Sequence, residues 1–239
     1  MRDKILQIYM KSTVGDHKTI LSGVKFQDFV DFSGVVINNI LLLSSGDIGQ
    51  KSYKGFDVLE GSEEVAGLKN QHELRCGDFC FVDYLDGEIL SLLTNEEIAE
   101  LLYLSHMFEP LRTPFFSSLQ NKFAYLSHDD GWYCKIYCED RKMPLLLVQN
   151  KILDSIYNAI NYDAKPLTKD LFEKIAEFST EGILLEIELL KQKNKKMLFL
   201  DVNLYNVGMY ENMDDLFNNL KNMDLHPVFQ KLFILDSEV

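Results

Sequence analysis

Apolar and polar positions alternate most regularly near the C-terminal end of the chain. In Ile183 to Leu190, Leu185, Ile187 and Leu189 alternate with Glu186 and Glu188. In Met197 to Tyr205, Leu198, Leu200, Val202 and Leu204 alternate with Phe199, Asp201 and Asn203. A period of two puts one set on each face of a strand, so these stretches predict a hairpin. Its tip, KQKNKK, holds Lys191, Lys193, Lys195 and Lys196. A second hairpin is predicted in FAYLSHDDGWYCKIYC, 123–138, the densest aromatic run. Its turn is placed at Asp130-Gly131, since Asp-Gly readily supplies the positive φ of short turns. Along its second arm Trp132, Cys134, Ile136 and Cys138 share one face, and Tyr133, Lys135 and Tyr137 the other.

Helical spacing appears elsewhere. Thr94-Asn95-Glu96-Glu97 matches a capping box, and Ile98, Leu101, Leu102 and Ser105 form a stripe, predicting a helix over about 95–108. Pro110 and Pro114 prevent its continuation. Further helices are predicted from near Pro144 to about 161, from a Thr168 cap along Leu171, Phe172, Ile175, Ala176 and Phe178, and around Leu216, Phe217, Leu220 and Met223. Ile20 to Val30 is loosely spaced like a helix face, weakened by Gly23. Ile5 to Met10 is a short apolar run. Val35 to Leu43 reads as a buried strand or two, Phe79 to Leu85 as a strand ended by Asp86-Gly87, and Leu232 to Leu235 as a closing strand after Pro227 interrupts. Hairpins interspersed with helices favour an α+β fold, a mainly antiparallel sheet with helices packed against it. Asn161 to Pro166 is the one credible boundary. It would divide the chain into an N-terminal α+β region, 1–163, and a C-terminal one, 164–239, unless both form one continuous domain.

Composition narrows the function classes. The chain has 239 residues, of which 46% are apolar and 26% charged, as in ordinary globular proteins. Its net charge of −13 repels phosphates and anionic lipid, so nucleic-acid and membrane partners are not expected. Such a surface would suit a basic protein partner. The longest apolar-rich stretch is interrupted by Asn38 and Asn39 and is too short to span a bilayer, and no secretory apolar segment follows Met1. The expectation is a soluble, cytoplasmic protein.

Candidate chemistry centres on His128, Asp129, Asp130 and Trp132. An imidazole flanked by carboxylates can act as a general base or ligate a metal, provided that the groups converge. Turn and strand-end roles explain the same residues without a reaction. The four cysteines form two C-x-x-x-C pairs, Cys76/Cys80 and Cys134/Cys138. Residues i and i+4 on a strand lie roughly 13 Å apart, too far for two thiolates to share one zinc at about 2.3 Å. Only a tight turn at Gly77-Asp78, with His72 as a third ligand, would change that for the first pair. Buried reduced thiols are the plainer reading. His106 reads as a core-edge or capping residue, and His17 and His226 as loop residues. Phosphate-loop, dinucleotide, zinc-protease and serine-hydrolase motifs are absent. No metal or cofactor is expected.

Two blocks, TNEEIAELLYLSHMFEPL (94–111) and NKFAYLSHDDGWYCKIYC (121–138), resemble an uncharacterised family of small soluble proteins from Gram-positive bacteria. Some of its members carry an oxalate:formate antiporter label, which conflicts with the lack of a membrane-spanning stretch here. The resemblance implies no activity and no catalytic residue. The expected function is non-enzymatic binding or regulation through an acidic surface. The alternative is a metal-dependent or cysteine/histidine-based hydrolase built on the His128-Asp129-Asp130 corner.

Overall fold

The computed structural model describes residues 2–43, 51–68, 77–161, 165–191 and 198–235. The fold is α+β with mostly antiparallel pairing. The expected 163/164 boundary falls on residues outside that set. Two compact units form, and neither follows chain order: one holds residues 1–14, 20–23 and 148–239, the other 15–19 and 24–147.

The second unit carries α1 (Phe26–Phe32), β3 (Asn39–Leu43), β4 (Lys51–Tyr53), β5 (Phe56–Glu60), α2 (Ser62–Gly67), β6 (Phe79–Asp83), α3 (Asn95–Ser105), β7 (Phe123–His128) and β8 (Tyr133–Cys138). Its strands run in the order β8-β7-β6-β3-β5-β4. Every residue of β7 is buried because both sheet faces are covered. On one face Phe79, Phe81, Phe123 and Tyr125 pack ring against ring beneath Phe26 and Phe29 of α1. On the other, Cys80, Val82, Ala124 and Leu126 join Leu101 and Leu104 of α3. Thr94 and Glu97 form the expected capping box at the start of α3, which ends at Ser105, three residues early.

The first unit holds β1 (Arg2–Thr13), most of β2 (Lys18–Ser22), α5 (Lys165–Phe178), β9 (Ile183–Lys191), β10 (Leu198–Asn206), α6 (Met213–Leu220) and β11 (Pro227–Leu235), and the greater part of α4 (Lys142–Ile160). The strand order is β11-β10-β9-β1-β2. The predicted hairpin is β9 and β10, paired in unbroken register from Leu198/Lys191 to Asn206/Ile183; its lysine-rich tip, 192–197, lies outside the described residues. Ile8, Leu185, Ile187, Leu200, Val202 and Leu204 form the buried apolar face. Helix α4 lies beside Asp3 and Leu189, and α5 is tied to β11 by an Asp170–Lys231 ion pair of 2.9 Å.

Three expectations need correcting. Ile20 to Val30 is not one helix. It is the end of β2 followed by α1, broken at Gly23, whose φ of +76° belongs to the left-handed region; a Cβ there would lie 2.2 Å from the Gln7 carbonyl oxygen. The helix expected to start from Thr168 begins at Lys165, because Pro166 is tolerated in a first turn, where its missing N–H has no partner to lose. Pro227 opens a nine-residue strand rather than interrupting, since a proline at the first position of an outermost strand breaks no ladder.

Candidate functional site

The central hairpin forms, but not around a two-residue turn. His128 pairs with Tyr133, and residues 129–132 make the turn. Asp129 and Asp130 both have positive φ, at 50° and 55°, ahead of Gly131 at 78°. The Trp132 N–H donates to the Asp129 carbonyl at 3.0 Å, which places Trp132 in the turn rather than on the strand. Asp129, Asp130 and Trp132 are exposed, whereas His128 is buried. Its ring stacks on Tyr133, with centroids 4.8 Å apart, and its Nε2 has no hydrogen-bond partner. Burial, then the nearby Lys135 ammonium, push the imidazole down to about 4, outweighing the carboxylates of Asp129 and Glu109. The imidazole is therefore neutral and enclosed while the two aspartates face solvent.

The described cysteines are buried. Cys80 and Cys138 are pushed up to about 12 by burial, which keeps them as thiols. Cys76 and His72 lie outside the described residues. Among the described residues no three His, Cys, Asp or Glu side chains are grouped to hold a metal ion. No helix among them is long and apolar enough to cross a membrane.

A cleft of about 450 Å³ in the second unit is lined by Asp16, His17, Glu109, Arg112, Phe115 and Tyr137, among others. Glu109 is its electrostatic centre. The Tyr137 hydroxyl donates to Oε2 at 2.7 Å, and the Lys135 and Lys18 ammoniums lie 3.0 and 3.3 Å from Oε1. Burial would raise this acid, but the Tyr137 hydroxyl and then the two lysines outweigh it and hold it down to about 2. Glu109 is thus a fixed anion already met by two cations, an arrangement suited to holding the 108–115 connection in place.

A different surface has an unmet demand. In the first unit, side chains that face away from the apolar core form two polar rows. In one, Asp201 stands opposite Glu188 on β9 and Leu232 on β11. In the other, Asn203 stands opposite Glu186 and Gln230, and Glu186 opposite Gln7. The Lys4 ammonium (3.1 Å) and Gln7 amide (2.7 Å) both donate to Glu186. One end of the face is closed where the Tyr9 hydroxyl accepts the Tyr210 N–H at 2.8 Å and donates to the Gly208 carbonyl. Asp201 is only 7% exposed, and its Oδ1 finds no hydrogen-bond donor. A buried carboxylate oxygen without a donor costs about 1–3 kcal/mol, more when the group is charged. Beside it Leu232 and Ile234 are 53% and 57% exposed. Half of this belt was visible beforehand: the alternation of Glu186 and Glu188 with leucines, and of Asp201 and Asn203 with Leu200 and Val202, already set the acids on one face. Strand pairing, which brings Asp201 against Glu188 and Leu232, was not.

No protein-family profile, no curated protein and no solved structure matches the chain.

Proposed function

We propose that this chain is a non-enzymatic binding protein whose partner is a basic polypeptide, received on the polar rows of the first unit. The observation that carries this reading is the buried, donor-less Oδ1 of Asp201, opposite Glu188 and beside the exposed Leu232. A guanidinium or ammonium from a partner, arriving over Glu188, would supply the missing donor once the Asp201 side chain turns outward, and its apolar neighbours would cover Leu232 and Ile234. The net charge of −13 would speed the approach of such a partner. A cytoplasmic setting belongs to the same proposal. The hydrolase alternative on His128, Asp129 and Asp130 has less support, since an enclosed imidazole between exposed carboxylates does not assemble a base with its orienting acid.

Calorimetric titration of the full chain with an arginine-rich peptide tests the reading. Asp201→Asn and Glu188→Gln should each weaken binding by about tenfold, which corresponds to the roughly 1.4 kcal/mol of one charge-assisted hydrogen bond. Removing two exposed acids of α2, Glu63→Gln with Glu64→Gln, should change it far less. Equal losses in all three variants would mean that only bulk charge is sensed, and the proposal would fall.

A further inference from the structure

The strand that borders the polar rows has a second unused side. β11 ends the strand order of its unit, so its outer row of N–H and C=O groups has no ladder partner among the described residues. Natural sheets blunt such edges by keeping them short or charged. The strand that ends the order in the other unit does both: β4 is three residues long and exposes Lys51 and Ser52. β11 does neither. It runs for nine residues, PVFQKLFIL, about 30 Å at the usual rise per residue. It exposes Val228, Leu232 and Ile234 on one face, and its single charge, Lys231, is paired with Asp170.

We infer that β11 is where two copies of this chain pair, edge to edge and antiparallel, about a twofold axis at Lys231. Three features favour a second copy as the occupant. The first is self-complementarity. In the register centred on Lys231, Val228 meets Ile234 of the other copy and Phe229 meets Phe233, apolar against apolar, while nearer the axis the Gln230 amide lies opposite Leu232. The second is charge. Two Lys231 ammoniums meet at the axis, each carrying its own Asp170, so that lysines and aspartates alternate around it. The third is repulsion. Each copy bears a net charge of −13, and the nine residues of β11 contain no acid, which makes this strand a line along which two such copies can approach. Pairing at one edge closes the assembly at two copies, because a twofold contact uses the same strand from both.

The inference rests on the open edge and not on Asp201; because it shares Leu232 and Ile234 with the proposed partner, the two are told apart by their opposite salt dependence and by which readout each variant moves. Light scattering or sedimentation of the full chain at tens of micromolar tests it. The expected result is the mass of two copies, with association strengthening as salt screens the like charges, whereas capture of a basic peptide weakens with salt. Leu232→Lys and Ile234→Lys change exposed residues and should give single copies. Val36→Lys, at an exposed apolar residue of the other unit, should leave the pair intact, as should Asp201→Asn. A single-copy mass for the unmodified chain at every salt concentration overturns the inference. So does a pair that survives both β11 variants, or β11 variants that lose only peptide binding, which would assign the edge to the basic partner.

Discussion

Asp83 closes β6 with its carboxylate turned onto the entry to β7, where Oδ1 accepts the N–H groups of Lys122 and Phe123 at 3.0 and 2.9 Å. Burial nevertheless pushes this acid up to about 6, so the folded chain prefers it protonated. Between pH 6 and its unfolded value near 3.8 the native state binds more protons at Asp83, and stability from this group rises as pH falls. His128 works in the opposite sense. Pushed down to about 4, it stays neutral in the fold while the unfolded imidazole takes up a proton below about 6.5, so stability is lost as pH falls from 6.5 to 4. Each term reaches about 3 kcal/mol at most, at 1.36 kcal/mol per pH unit. Over pH 4–6 the two largely cancel, and single substitutions should unmask them. Asp83→Asn keeps an acceptor for both N–H groups, should raise stability at pH 7 by about 1–3 kcal/mol, and should leave a steeper loss toward pH 4. His128→Leu should leave the opposite slope, a gain in stability as pH falls from 6 toward 4. Urea midpoints collected from pH 4 to 8 decide it; identical profiles for the two variants would contradict these assignments.

At the scale of the element, the start of α3 does more than cap a helix. The Thr94 hydroxyl accepts the Glu97 N–H at 3.1 Å, and the Glu97 carboxylate accepts the Thr94 N–H at 3.0 Å. That carboxylate also takes the Ser118 hydroxyl at 2.7 Å and the Ser118 N–H at 3.2 Å, which ties the helix to the turn before β7. Burial opposes its ionisation, but these donors outweigh burial and hold the acid below its usual value. Thr94→Ala should therefore cost about 1 kcal/mol, and Glu97→Ala more, about 2 kcal/mol, because the link to Ser118 goes with it. Thermal denaturation of the two variants gives the comparison, and equal losses would show that the Ser118 link carries no weight. This capping box was legible in the sequence because its residues are three apart. The β9–β10 hairpin was legible too, through its alternation. The strand-to-helix break at Gly23 was not, since what demands glycine there is the Gln7 carbonyl on another strand. Nor was the fate of the 129–132 turn: the Asp-Gly pair signalled a reversal, but the aligned register of His128 with Tyr133 requires four residues, and Asp129 adopts the left-handed conformation as well.

The whole molecule is built from discontinuous pieces. β1 belongs with residues 148–239, lying between β9 and β2 and pairing with β9 from Arg2/Leu190 to Met10/Ile183. Removing residues 1–14 would therefore strip an internal strand from the first unit and take Leu6 and Ile8 from beside Ile187 and Leu185. The expected outcome is a chain whose first unit loses cooperative unfolding while the aromatic cluster of Phe81, Phe123 and Tyr125 in the other keeps its near-ultraviolet signal. A shortened chain that retained the full unfolding amplitude would refute this.

One neighbour of β1, β9, lies more than 170 positions further along the chain, whereas the other, β2, follows within a few residues. On a ribosome adding about 5–20 residues per second, β1 must wait on the order of ten seconds or more for β9. During that interval Leu6, Ile8, Tyr9 and Met10 have β2 along one edge but lack Ile187, Leu185, Leu184 and Ile183 along the other. Early production thus hands an apolar strand to whatever chaperone meets the exit tunnel, and the last third of translation decides when it is released.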